Sequence, residues 1–429
     1  MSAAPPFSIL QFPPISPQFP SKSQIPQIFR ISPNLPNLPK FPDFFPKFPP
    51  RSQRLQFRIW PLSGAAPIDL YGRPQCLVFF FSRPQFVQNS PQIAQNGRNL
   101  PQISAGEFLE SHVRPEPGST RAAFALSRDG RPVRLQRSFY SEAFCALGLD
   151  ELGRAAGEER YRAWARRWAG AMWGWARGAP MELGRPRFSG TPPQQALAQA
   201  MMVLKVGLQL WGDPRRDPQN EPEAPEAEAM AEWGAQHVLM HLQRGDSVVL
   251  ENVSPEGEEL PGSLGRLMNP GHALEAAWLL LQLSGRRGDA ALGARAVAAL
   301  LEGPLRRGWD PQHGGLFSFL DADGLCPTQL EWSMKLWWPH AEAMVALLAA
   351  QRFQPRPSLV SQFLQVAQYT FDKFRDPEHG EWFGYLNRDG SVALSIKGGP
   401  YKGCFHVARA LLMCEEMLDA ILEGEEPPQ

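Results

Sequence analysis

The chain has 429 residues, in which 43 Lys and Arg balance 43 Asp and Glu. A formal charge of zero speaks against a broad electrostatic footprint for nucleic acid or an anionic membrane. Five cysteines without close spacing exclude a disulfide scaffold and a zinc ribbon, and no apolar run approaches the roughly eighteen residues of a membrane-spanning helix. Prolines interrupt the first thirty residues and leave no cleavable apolar region, so the expectation is a soluble cytoplasmic protein with reduced thiols.

The balanced charge hides two unlike segments. Residues 1–104 hold 20 of the 44 prolines, ten Lys and Arg, only Asp43 and Asp69 as acids, and no glutamate. The other 325 residues carry 33 basic against 41 acidic side chains. From Phe12 to Pro50 the chain cycles through PQFP, PNLP and KFPDFFPKFPP. Proline at that density removes amide donors and bars helix, so residues 1–104 read as a low-complexity, disordered or polyproline-II tail. A second reading is a proline-rich ligand for an SH3 or WW groove.

From about Ala105 the pattern changes. A weak helical segment at 106–113 and a stronger one at 141–156 precede an apolar stripe of Tyr161, Trp164, Ala165, Trp168, Met172 and Trp175. Similar stripes predict helices over 193–211, 226–243, 271–284, 288–303, 339–351, 358–375 and 404–422. Extended stretches ending in turn signals fall between helix pairs, with turn glycines at 130, 257, 324 and 390. Their separations of 127, 67 and 66 residues give a period of about 65, each unit being helix, helix and hairpin. The fold class expected for residues 105–423 is therefore all-α, an (α/α)6 toroid with short β-hairpins. Extrapolated backward, a hairpin belongs near residue 65, where WPLSGAAPIDLYGRP shows none, so five units of six are expected with the first missing or replaced.

Eight histidines are available for chemistry. His237 and His241, four apart on one helix, lack the third ligand of a metal site. His313 and His379 occupy equivalent repeat positions, in DPQHGGLF and DPEHGEWF, and read as structural. His272 in NPGHALEAAW has Glu275 three residues on; His340 and Glu342 lie in KLWWPHAEAM; His406 lies in KGGPYKGCFHVARA. All three histidines open helices that follow an extended segment, and equivalent helix starts converge on one end of a toroid. Imidazoles, carboxylates and the aromatic faces of Trp278, Trp337 and Trp338 suit a sugar. Asn252-Val253-Ser254 matches a glycosylation sequon that an intracellular chain does not use, and Cys326, Cys404 and Cys414 show no nucleophile context.

The strings NPGHALEAAW, WDPQHGGLFSFLDADGLCPTQLEWSMKLWWPHAEAM, FRDPEHGEWFGYLNRDG and SIKGGPYKGCFHVARALLMCEEML closely resemble the N-acylglucosamine 2-epimerase family, over roughly three quarters of the chain. The resemblance implies a cytosolic homodimer that interconverts N-acetylglucosamine and N-acetylmannosamine in amino sugar and sialic acid metabolism. It implies no metal, ATP or a related nucleotide as an allosteric effector, and renin as a protein partner. It makes His272 and His406 the acid/base pair and places Glu275, Glu342, His340 and Trp338 at the sugar. Histidine suits the task, since inverting C2 needs two groups of near-neutral pKa on opposite faces of a planar intermediate.

The chain departs from the family at its start. Members open with a helical unit bearing a His-Gly-Gly hairpin and an arginine in a WLQGR-like string, and residues 1–104 contain neither. On that ground a weak or inactive epimerase is expected from an incomplete barrel. The competing readings are a non-catalytic remnant that still binds renin, and another toroidal sugar enzyme. A glycosidase would want two opposed carboxylates rather than two histidines.

Overall fold

The computed structural model describes residues 101–178, 183, 193–212, 225–325 and 329–424. The Pro-rich tail over 1–100 and the missing first unit are expectations that lie outside the described residues; the last four residues assigned to the tail, 101–104, instead begin a helix, where Pro101 suits the first turn because its missing amide needs no partner there. The first described helix, α1 (Pro101–His112), covers the weak 106–113 prediction. Strands β1 (Ala125–Leu126) and β2 (Pro132–Arg134) form a hairpin, followed by α2 (Tyr140–Ala156) and α3 (Glu159–Ala176). Then come β3 (Gln195–Ala196), α4 (Leu197–Leu210) and α5 (Pro225–Met240). Strands β4 (Leu242–Gln243), β5 (Val248–Val249), β6 (Asn252–Val253) and β7 (Leu267–Met268) lead into α6 (Pro270–Arg287).

The helix expected over 288–303 runs on to 308 in three pieces: α7 (Ala290–Arg295), a π-helical stretch (Ala296–Glu302) and α8 (Gly303–Gly308). Pro304 has no amide to offer the preceding turn, and the backbone widens just ahead of it. The chain continues with β8 (Leu320–Asp321), β9 (Lys335–Leu336), α9 (Trp337–Phe353) and α10 (Pro357–Lys373). It ends with the hairpin β10 (Tyr385–Leu386) and β11 (Val392–Leu394), then α11 (Val407–Leu422).

The helices form two rings. Among the described residues, α2, α4, α6, α9 and α11 pack neighbour against neighbour, while α3, α5, the π-helical stretch and α10 pair with them from outside. Burial follows this arrangement. Helix α6 is buried on every side between Ala273 and Leu281, whereas α3 buries only the stripe Tyr161, Ala165, Trp168, Ala169, Met172, Trp173 and Trp175. Phe405, just ahead of α11, meets Phe144 of α2 edge to face at 5.1 Å, so the last unit touches the first described one.

The short strands close the helix pairs at one end. Strand β3, which opens α4, pairs with β6; β7, which opens α6, pairs with β8; β9, which opens α9, pairs with β10. Three of the five inner helices described, α4, α6 and α9, thus start from a strand clamped by the strand that follows the same helix pair. The turn glycines 130, 257, 324 and 390 all have φ between 70° and 86°, a backbone region that L side chains rarely adopt. The Asp323-Gly324 turn is the exception to the hairpin reading: its leading strand, β8, pairs with β7 at the start of α6.

Candidate active site

Helix α6 begins with three local signals. Asn269 is its cap, with its side chain accepting from the His272 amide at 3.2 Å, and Pro270 occupies the first helical position. Gly271 follows, and a Cβ there would meet the Trp338 ring at 2.5 Å. The glycine therefore admits the Trp338 indole against the start of α6. The indole lies 5.0 Å from the His272 ring and 5.5 Å from the His406 ring, both at 37°. Trp338 is half-buried between the two imidazoles, as an aromatic floor for a sugar should be.

Each imidazole has its Nδ1 on a carboxylate. His272 Nδ1 lies 2.8 Å from Glu251 Oε2, and His406 Nδ1 lies 2.6 Å from Glu342 Oε1. With a carboxylate on Nδ1, that nitrogen carries the proton, and Nε2 is left as base in the neutral ring and acid in the protonated one. The rings keep partial solvent access, 23% for His272 and 17% for His406, while Glu342 has none.

Glu251 is held by the strand junction. Its amide donates to Leu267 of β7 and its carbonyl accepts from Leu197 at the start of α4, at 2.8 and 2.9 Å. Glu342 is the most heavily engaged carboxylate of the site. It accepts from Trp278 Nε1 at 2.8 Å, and from the Arg409 guanidinium on the oxygen that also meets His406. Glu275 is also buried but forms no hydrogen bond or ion pair with another described residue. Its carboxylate, one oxygen of Glu342 and one nitrogen of His406 lie within 4.8 Å of one another. That spacing could admit a cation, but the Arg409 charge on Glu342 opposes one.

The environment separates the titrating groups. Burial lowers the His272 pKa, but the bonded Glu251 carboxylate, with Glu275 and Glu342 beyond it, more than offsets this and leaves it raised. Burial alone would raise Glu342, yet Arg409, His406 and Trp278 hold it well below the usual carboxylate range. Glu275 is pushed up by burial and by the negative Glu342 nearby. The two carboxyls of one site are thus pushed in opposite directions, Glu342 down and Glu275 up.

His272, His406, Glu275, Glu342 and Trp338 come together as the sequence suggested; His340 does not join them. It has no exposed surface, its Nδ1 donates to Leu336 O at 2.6 Å, and its Nε2 accepts from the Leu316 amide at 2.9 Å. Burial pushes its pKa down to about 3, and it stacks on Tyr369. The sequence motif is shared, but the side chain turns away from the cluster and fastens α9 to the preceding unit. Three residues near the cluster went unread: Glu251, Arg409, and Lys205, whose ammonium lies 4.8 Å from the centroid of the Trp278 ring. Arg409 had a usable signal, lying three residues after His406 on one helix face. So did Lys205, the lone charge in the apolar string LAQAMMVLKVGLQL.

Fold and site together define an isomerase built on an (α/α)6 barrel. Cellobiose 2-epimerase from Spirochaeta thermophila superposes with a TM-score of 0.60 at 21% identity, covering 77% of this chain and 84% of its own. A D-mannose isomerase superposes at 0.59 and 17% identity, covering 76% and 84%. In sequence, residues 248–410 match the profile of N-acylglucosamine 2-epimerase (GlcNAc 2-epimerase). The N-acylglucosamine 2-epimerase of Bos taurus is 52% identical over 324 residues, 76% of this chain and 75% of that protein; that of Homo sapiens is 50% identical, covering 76% and 74%. The chain belongs to the N-acylglucosamine 2-epimerase family. No helix among the described residues is long and apolar enough to cross a membrane.

Proposed function

We propose that the chain inverts C2 of an open-chain 2-acylamino sugar, interconverting N-acetylglucosamine and N-acetylmannosamine within amino sugar and sialic acid metabolism. The observation that carries this reading is the pair of imidazoles flanking Trp338, each with Nδ1 committed to a carboxylate and Nε2 left for chemistry. The names of the curated relatives support the substrate. In this mechanism one Nε2 removes the C2 proton while the other, protonated, returns a proton to the opposite face. Glu251 and Glu342 orient the rings and stabilise the imidazolium that each becomes in turn. Glu275, with its raised pKa and no hydrogen-bond partner among the described residues, is suited to hold a sugar hydroxyl. The proposed reaction uses no metal.

A glycosidase is the weaker alternative for these residues. Glu342 would have to serve as nucleophile or base, yet its oxygens already accept from Trp278, His406 and Arg409. Incubating the protein with N-acetylmannosamine in D2O and following it by NMR tests the proposal. Appearance of N-acetylglucosamine with deuterium at C2 is the expected result. A sugar that binds and is returned unchanged would instead mark a non-catalytic binding protein.

A further inference from the structure

Lys205 lies on α4, an inner helix that contributes none of the groups assigned so far. Its ammonium sits 4.8 Å from the centroid of the Trp278 ring, and Arg409 sits 5.1 Å from the same centroid. Trp278 donates to Glu342, which bonds His406, so Lys205 stands one indole away from a proposed acid/base pair. The two cations on this ring are used differently. Arg409 donates to Phe405 O at 2.8 Å and to Glu342. Lys205 makes no hydrogen bond or ion pair with any described residue, and its side chain keeps partial solvent access amid the packed ring of inner helices. An enclosed ammonium with no acceptor among the described residues is costly unless a ligand supplies one.

The proposed reaction generates such an acceptor. When an imidazole takes the C2 proton, the C2–H electron pair becomes the C1–C2 double bond, and the carbonyl pair moves onto O1. The oxyanion then needs a donor, and the carboxylates of Glu251 and Glu342 cannot provide one. We propose that Lys205 is a substrate-contacting catalytic residue whose ammonium donates to the O1 oxyanion of the open-chain sugar. The assignment rests on the epimerase reading above. Returning a proton to C2 from the second imidazole restores the carbonyl and releases that bond, so no other reactant is consumed. Burial and then Arg409 push the Lys205 pKa down to about 8, with Glu275, Glu342 and Glu151 pulling it back. The group is still mostly charged at neutral pH and is weakly solvated, the state in which a donor acts most strongly.

Two measurements on the full chain separate this proposal from the reading it rests on. The first compares wild type with Lys205→Met and Lys205→Gln in the epimerisation assay, with circular dichroism to confirm folding. Lys205→Met is expected to lose about 10²–10³ in kcat with little change in KM, because the bond forms in the transition state. Lys205→Gln, a neutral donor, should lose less. The second labels wild type with formaldehyde and cyanoborohydride, with and without saturating N-acetylmannosamine, and quantifies the Lys205 peptide by mass spectrometry. Protection of Lys205 by the sugar is expected, and would uphold the contact even if wild type showed no turnover and the epimerase reading fell. A folded Lys205→Met variant within threefold of wild-type kcat overturns the proposal, as does equal labelling with and without sugar.

Discussion

Two clusters in this protein are built from the same residue types and serve opposite ends. At the repeated turns, Asp310 accepts from the amides of Gln312 and His313, from Lys335 Nζ at 3.0 Å and from Arg388 Nε at 2.9 Å. Asp376 does the same one unit later with Glu378, His379 and Lys397. Backbone amides and cations saturate these carboxylates, and the His313 and His379 rings stay at the surface. At the helix starts, Glu251 and Glu342 bond imidazole Nδ1 instead, and each ring retains a nitrogen for chemistry. An acid beside a histidine therefore says little about function. What the carboxylate bonds, the ring or the backbone, separates the proposed catalytic pairs from the turns.

The sharpest way to break this contrast is to delete the rings. His272→Ala and His406→Ala should each lower epimerisation by about 10³-fold or more, with far-UV circular dichroism unchanged. Near-normal turnover in either variant would remove that histidine from the mechanism.

The turn cluster should fail in stability instead. Asp310→Asn leaves the fully buried Lys335 without its counter-ion and should cost about 3–5 kcal/mol in denaturant unfolding. The protein that remains folded should keep its kcat. Burial raises the Asp310 carboxyl, but Arg388, Lys335 and the turn amide hold it well below the ordinary Asp value. Its stabilisation is thus complete above about pH 4, the unfolded-state value, and is lost as pH falls further. A variant whose acid unfolding matches wild type would show that the pair adds nothing.

Glu251→Gln probes how the first carboxylate tunes its imidazole. Removing the charge that raises His272 should move the limb of the pH–rate profile governed by His272 to lower pH, with about a tenfold loss of kcat. An unmoved limb would mean that Glu251 only positions the ring. The smallest effects are expected at the turn histidines, where His313→Ala and His379→Ala should stay within about twofold of wild-type turnover, as surface changes usually do. Tenfold losses there would erase the distinction between the two clusters.

Much of the scaffold was legible because local rules govern it. The hairpin glycines 130, 257 and 390 mark the repeat since each turn needs a positive φ. The apolar stripe of α3 showed which face packs. The convergence of His272, His406 and Glu342 could be read from repeat position, since equivalent helix starts meet at one end of a toroid. The Gly324 turn was misread as a simple hairpin, because strand pairing depends on which distant strand lies alongside and not on the turn itself.

The sequence by itself determined the repeat, the all-α class and the residue types available for proton transfer, because turn, cap and helix periodicity act over a few neighbouring positions. Only the tertiary structure decided how those residues are used. Glu275 shares a helix face with His272, yet Glu251, 21 residues upstream at a strand junction, is the carboxylate that bonds it. His340 belongs to the same motif as Glu342, but the preceding unit's Leu316 amide takes its Nε2 and the Leu336 carbonyl at the start of its own helix takes its Nδ1. Lys205 is a lone charge in an apolar string until the neighbouring inner helices set it over Trp278. These outcomes depend on contacts between units, and no local pattern encodes which side chain a neighbouring helix or strand will present.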